Sequence, residues 1–226
     1  MRRYLSFGGG VNSVALMLML ADQGIECEAV FADHGADWPE TYEYVEMLQA
    51  RGYAIMRLDV GNLHAECAKY AIMPSRWQRW CTRQFKVEPL NRYFVKPATV
   101  YLGIDYGEQH RAKPSRQEGL THEYPLVDEG MDRAACVRYI ERHGLPVPIK
   151  SGCYFCPFQR LSQWRELYTK HPDLFCKAKR LEQLASERVG KPIYLSNAEK
   201  PLEVVAMTSQ PDLFGERGLT PCLCEL

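Results

Sequence analysis

The sequence predicts an α/β fold: a doubly wound, mostly parallel sheet with a helical, cysteine-containing C-terminal extension. Three observations carry this. Short apolar runs alternate with segments of helical periodicity through the first half of the chain, the pattern of βαβ units. Glycine or aspartate closes several of those runs at the carboxyl end, where such sheets bind ligands. From about Glu123 onward, prolines and glycines punctuate segments that read as helices only.

The first element is a strand, Arg3 to Phe7, with Ser6 just before Gly8-Gly9-Gly10, and a helix follows over Val14 to Leu20. Consecutive glycines let a backbone turn tightly and bring its N–H groups close to a ligand. The helix start adds unpaired N–H groups and a positive dipole end, so the turn suits a phosphate or pyrophosphate. Ser13 offers a hydroxyl there, and Asn12 a polar cap. Glycines also occur at strand-to-helix turns that bind nothing. The loop is not the ATPase P-loop, because no Gly-Lys-Ser or Gly-Lys-Thr follows. Nor is it the dinucleotide fingerprint, whose glycines are spaced.

Glu28 to Ala32 reads as the second strand, ending at Asp33. A helix then starts at Pro39, and Tyr42, Val45 and Leu48 carry its period to Ala50 before Gly52. Tyr53 to Val60 is the third strand, Asn91 to Val95 ends a helix, and Thr99 to Asp105 is the fourth strand. Further helices are expected over Met131 to His143, Ser162 to Tyr168 and Leu174 to Val189. Lys177, Lys179, Arg180, Glu182 and Glu187 read as the solvated face of the last. The 226 residues, 46% hydrophobic and 25% charged, suffice for one α/β domain with an appendage. The expected division is a core over 1–122 and an extension over 123–226 packed on it as one unit.

Formal net charge is zero, so no global field draws in nucleic acid. A local patch remains: Arg76-Trp77-Gln78-Arg79-Trp80 with Arg83 and Lys86 interleaves cations and rings that could stack on bases, or form a plain half-buried loop. The longest apolar run, Val14 to Ala21, is too short to cross a bilayer, and the protein is expected to be cytoplasmic with no membrane partner.

In that compartment nine cysteines read as metal ligands, redox groups or core thiols. Cys153-Tyr154-Phe155-Cys156-Pro157 is a C-x-x-C followed by proline; Cys81 lies 153 − 81 = 72 residues upstream, and Cys222 and Cys224 lie in the tail. An iron–sulfur cluster, a zinc ion and a thioredoxin-like dithiol all fit such cysteines. The scattered spacing and the proline favour the cluster, with Cys81, Cys153 and Cys156 as ligands and either Cys222 or Cys224 as the fourth, or an open iron in its place. Cys27, Cys67, Cys136 and Cys176 stand alone in apolar or helical contexts and read as core thiols. Glu108 stands where it can orient Arg111 by a charge-assisted pair.

The glycine loop resembles the PP-loop, Ser-Gly-Gly-x-Asp-Ser, of the adenine nucleotide α-hydrolase-like superfamily, matched here by Gly8, Gly9, Gly10, Val11, Asn12 and Ser13. Gly8 replaces the first serine and Asn12 the aspartate. Within that superfamily the chain resembles the phosphoadenylyl sulfate (PAPS) reductase family. The resemblance rests on the loop; on Phe31 to Gly35 with Pro39 to Tyr42; on Trp80-Cys81-Thr82 with Lys86, Pro89 and Leu90; on Gly103-Ile104 with Glu108 and Arg111; and on Gly152 to Phe158, similar to the end of members that carry a 4Fe–4S centre. It implies phosphates on the glycine loop, ribose or adenine beside Asp33, His34 and Gly35, and Arg111 and Lys86 on the anionic group being transformed. Cluster-bearing reductases have paired cysteines where this chain has Cys81-Thr82, so one ligand is moved or absent.

The resulting expectation is an enzyme that binds ATP, with or without Mg2+, and uses a 4Fe–4S cluster for adenylation and sulfur transfer to a nucleobase, a nucleic acid or a similar acceptor. The sulfur donor is left open, and a homodimer is compatible with the sequence. A sulfonucleotide reductase with Cys224 as nucleophile is the rival, and a non-catalytic nucleotide- or nucleic-acid-binding module with structural zinc the third reading.

Overall fold

The computed structural model describes residues 1–207. Five strands form one parallel sheet: β1 (Arg2–Phe7), β2 (Glu28–Asp33), β3 (Ile55–Asp59), β4 (Ala98–Leu102) and β5 (Leu120–Glu123), in the order β3-β2-β1-β4-β5. The order reverses between β1 and β4, the point at which open α/β sheets form their ligand crevice. The α/β reading therefore holds.

Alternation along the strands builds two apolar layers. Leu5, Phe7, Ala29, Phe31 and Tyr101 point to one face. There they meet α1 (Val11–Asp22), α2 (Pro39–Ala50) and α7 (Arg133–Arg142), through Leu16, Leu20, Val45, Leu48, Cys136 and Ile140. Tyr4, Val30, Ala32, Val100 and Leu102 point the other way, against Leu90 and Phe94 around α5 (Glu88–Tyr93). Helix α1 is buried from Val11 to Leu20, which is why its sequence is apolar on every side. Each of its fully buried leucines contributes about 1.5–3 kcal/mol.

β5, α3 (Leu63–Tyr70) and a π-helical turn are among the elements that were not expected. β5 is only Leu-Thr-His-Glu, too short and too polar to announce a strand. α3 mixes polar and apolar residues and is capped by Asn62, whose side chain accepts from the Ala65 N–H at 2.8 Å. Between the short α4 (Trp80–Thr82) and α5, Arg83–Val87 winds as a π-helical turn.

The described chain divides into two compact units. The first comprises Met1–Gly61 and Thr82–Ser151 and holds the whole sheet. The second comprises Asn62–Cys81 and the chain from Gly152 onward, with α8 (Leu161–Lys170), α9 (Pro172–Val189) and α10 (Leu202–Met207). These borders differ from a cut at 122/123. Residues 123–151, including α6 (Pro125–Asp128), fall in the first unit because Leu126, Cys136, Ile140 and Leu145 pack in its core with α1.

In the second unit Phe155, Trp164, Leu167, Phe175 and Leu181 are buried. Glu182 is no part of a solvated face: it is 6% exposed, and its carboxylate accepts from the N–H groups of Leu195 (2.9 Å) and Leu202 (3.1 Å). Burial raises its pKa. Among the described residues no helix is long and apolar enough to cross a membrane.

Candidate functional site

The glycine loop lies at the reversal point, between the end of β1 and the first turn of α1. Gly9 takes φ +70°, which favours glycine, and a Cβ there would meet Thr41 Cγ2 at 3.0 Å. Gly10 is the N-cap; no side chain caps the helix start, and its first turn holds no acidic residue. Twelve residues of helix thus present their N-terminal N–H groups and dipole with no side-chain cap and no acidic residue of their own in the first turn. Ser6 and Gly8 lead into the loop, Ser6 pairing in register with Val30 and Leu102.

Asn12 does not cap the helix, contrary to expectation. It sits inside the first turn, and its Nδ2 donates to Asp105 Oδ2 at 3.0 Å. Asp105 Oδ1 accepts from the Glu108 N–H at 3.1 Å. A carboxylate missing from the loop is thereby supplied from beyond β4, across a separation of 93 residues. Asn12 Oδ1 is buried and finds no hydrogen-bond partner among the described residues. The Ser13 hydroxyl, expected as a donor to ligand, donates to Gly10 C=O at 3.0 Å instead. Gly103 closes the arrangement: a Cβ there would stand 2.9 Å from Ser13 N. The end of β4 and the start of α1 meet only because that residue has no side chain.

Asp33, at the end of β2, is held by the protein itself. Its Oδ1 accepts from the Gly35 N–H (2.9 Å) and the Tyr42 hydroxyl (2.9 Å), and its Oδ2 from Arg57 (2.9 Å). Burial pushes its pKa up, but these donors outweigh it and hold the carboxyl below the usual range. Gly35 has φ +66°. His34 is buried, its Nε2 3.4 Å from Asp37 Oδ2. Burial lowers its pKa against the pull of Asp37, with Lys86 lowering it further, which favours the neutral imidazole. Lys86, on the π-helical turn, and His34 are thus brought together. Arg111 is 6% exposed and ion-paired to Glu108, as the spacing suggested, within the 3-10 turn Tyr106–Arg111.

The second unit gathers cysteines. Cys153 and Cys156 are buried on a turn in which the Cys156 N–H donates to Cys153 C=O at 3.0 Å. Gln159 Nε2 ties that turn down through Tyr154 C=O at 2.6 Å. Cys81 is half-buried at the start of the segment that leads to α5. None of the three is in a disulfide. Cys67 is fully buried on α3. Cys176 is exposed and so is not the core thiol its sequence context suggested, whereas Cys136 is core. Among the described residues no three His, Cys, Asp or Glu side chains converge closely enough to hold a single metal ion as they stand. Cys222 and Cys224, expected as cluster ligand and nucleophile, lie outside the described residues. In the basic–aromatic segment Trp77 is 94% exposed, and Arg76 lies over the Phe158 ring at 5.8 Å.

Sequence reasoning noted Asp105 only as a strand end; its bond to Asn12 leaves no trace in local sequence. Gly103 was singled out by resemblance, and its close approach to Ser13 gives the physical reason.

A family model described as "Phosphoadenosine phosphosulfate reductase domain" matches residues 2–148. Two curated relatives come from Methanocaldococcus jannaschii. Uncharacterized protein MJ0066 is 25% identical over 195 residues, 76% of this chain and 40% of its own length. Uncharacterized protein MJ0973 is 26% identical over 191 residues, 76% of this chain and 45% of its own length. The chain therefore spans less than half the length of either. A crystal structure of phosphoadenylyl-sulfate (PAPS) reductase from Candida auris, a phosphate complex, overlays with a TM-score of 0.49 at 20% identity, covering 66% of this chain and 75% of that one.

Proposed function

The chain belongs to the phosphoadenosine phosphosulfate reductase domain family, and from that premise we propose that it is a PP-loop enzyme that binds ATP and adenylates an acceptor oxygen for replacement by sulfur. The observation that carries the reading is the loop at the sheet's reversal point: an uncapped twelve-residue helix start, closed by Gly103 and flanked by the Asn12–Asp105 pair. Backbone N–H groups there suit the phosphates, and Gly8 to Ser13 form their cradle. The orphaned Asn12 Oδ1 and the Asp105 carboxylate are hard oxygen donors of the kind magnesium takes, so both would hold a Mg2+ carried in with the nucleotide. Neutral His34 and Gly35 would lie by the adenine or ribose.

The chemistry follows from charge. An acceptor oxygen attacks the α-phosphorus, the α–β bond breaks, and pyrophosphate leaves with its electron pair. A sulfur nucleophile at the sulfide level then displaces AMP from the activated carbon. Charge grows on the phosphate oxygens in the first step, where fixed N–H donors and the Lys86 cation stabilise it most. Arg111 acts there only by exchanging Glu108 for substrate.

The donor set also fits a cluster: Cys81, Cys153 and Cys156 are sheltered thiols of the second unit and would hold three irons of a 4Fe–4S centre. When bound, such a centre supplies an electron or an iron site for sulfide.

The family's own description favours a second reading, reduction of a sulfonucleotide with Cys224 as nucleophile. Titration with ATP and with an adenylyl sulfate, followed by assay for AMP and pyrophosphate, separates the two. The first reading expects ATP to bind and to release pyrophosphate when an acceptor is present. Selective binding of the sulfonucleotide, with sulfite release that needs Cys224, would overturn it.

A further inference from the structure

We infer that Cys67, and not a cysteine of the tail, is the fourth protein ligand of the cluster proposed above, so that the centre is closed by four thiolates from three short segments of the second unit. The inference rests on the cluster reading and adds the residue that the sequence assigned to the core.

Four observations support it. Cys67 belongs to the same compact unit as Cys81, Cys153 and Cys156. It is 0% exposed. Cys67 lies one turn past His64 on α3. The His64 ring packs against Tyr154 at 6.0 Å and Phe155 at 5.8 Å, the two residues between Cys153 and Cys156. α3 is thereby docked on the C-x-x-C turn by a contact only three residues from Cys67. Finally, Cys67 and Cys81 interact electrostatically, as do Tyr154 and both Cys153 and Cys67. A metal centre is what makes a buried thiolate stable.

The arrangement also fits a cluster better than zinc. Four sulfurs at about 2.3 Å from one tetrahedral ion crowd within about 4 Å of each other. Cys67 and Cys81 act on each other, yet among the described residues no three ligating side chains converge on a single ion, and a polynuclear centre holds its ligands farther apart. Four thiolates leave no iron open, so sulfur for the transfer step would come from another carrier and not from the cluster.

The test is anaerobic purification and reconstitution of the full chain, with iron and sulfide analysis and electron paramagnetic resonance after reduction. Variants would be Cys67→Ala, Cys67→Ser, Cys153→Ala, Cys222→Ala and, as a buried-thiol control from the other unit, Cys136→Ala. Wild type should hold four irons per chain, and added sulfide should leave its spectrum unchanged. Cys67→Ala should lose at least half the iron, as Cys153→Ala does, or keep a cluster whose spectrum responds to sulfide. Cys67→Ser should shift the resonance, because oxygen replaces one sulfur ligand. Cys136→Ala and Cys222→Ala should match wild type. Circular dichroism would check that each variant folds, and Cys67→Val, which fills the space and cannot ligate, replaces any Cys67 variant that does not. Full iron and an unaltered spectrum in folded Cys67→Ser and Cys67→Val, with loss in Cys222→Ala, would overturn the inference and leave the cluster reading standing. Wild-type protein without iron would overturn both.

Discussion

Asn12 and Asp105 show how one substitution in a loop is answered elsewhere in the fold. An amide can donate to a carboxylate; a carboxylate cannot. Asn12→Asp would set two buried acids about 3 Å apart, which raises the pKa of one of them. A raised folded-state pKa costs stability above that pKa and returns it as pH falls. Asn12→Asp should therefore be less stable than wild type by about 1–3 kcal/mol at pH 8, with the gap narrowing by pH 5. Urea denaturation at both values checks it, and added magnesium should narrow the gap at pH 8. Gly103 offers a second prediction. A methyl group 2.9 Å from Ser13 N forces β4 and α1 apart. Gly103→Ala should cost about 1–3 kcal/mol of stability and at least tenfold in ATP affinity by calorimetry. Gly130→Ala is the contrast: its Cβ would meet nothing within 4 Å, although its φ of +63° still strains the backbone, so ATP affinity should hold while stability drops modestly.

Among the elements, α1 and α7 are joined at their ends by Asp22, Tyr139 and His143. Tyr139 and His143 both reach the Asp22 carboxylate, His143 Nε2 at 3.1 Å. The His143 pKa is raised, first by its hydrogen bond to the Tyr139 carbonyl and then by Asp22. Its stabilising contribution is complete below the unfolded value near 6.5 and is lost as pH rises through the higher folded value. The melting temperature should accordingly fall between pH 6 and pH 8.5, and His143→Gln should flatten that fall. The elements also show what a sequence discloses. β1, β2, β3 and β4 were legible because each is an apolar run closed by a polar residue or glycine. β5 and α3 were not, because neither carries a clean period; their place comes from pairing with β4 and from packing in the second unit. Glu182 defeats pattern reading in the same way: a glutamate on a charged helix is ordinarily solvated, and only the backbone donors of Leu195 and Leu202 keep this one inside.

Across the whole molecule the two units hold different candidate sites: the first the glycine loop, the second Cys67, Cys81, Cys153 and Cys156. The loop was readable because its residues are contiguous. The full cysteine set was not, because Cys67 has no close cysteine partner in sequence and a buried thiol is ordinarily just core. If the cluster is integral to the second unit, its removal should be felt there alone. Iron chelation should raise hydrogen exchange across Asn62 to Cys81 and Gly152 to Gln159 severalfold, and leave β1, β4 and α1 protected. Uniform loosening of both units would count against that assignment.

The second unit is also discontinuous in time. Its first segment, Asn62–Cys81, leaves the ribosome long before Gly152, which follows 152 − 62 = 90 residues later. At about 5–20 residues per second that interval lasts roughly 5 to 20 s. Through it Cys67 and Cys81 have no C-x-x-C turn to meet, while the sheet of the first unit is still being completed by β4 and β5. If the second unit carries the proposed cluster, maturation has an order: the unit that holds the sheet closes first, and iron is inserted last, into thiols that have had to stay reduced while waiting.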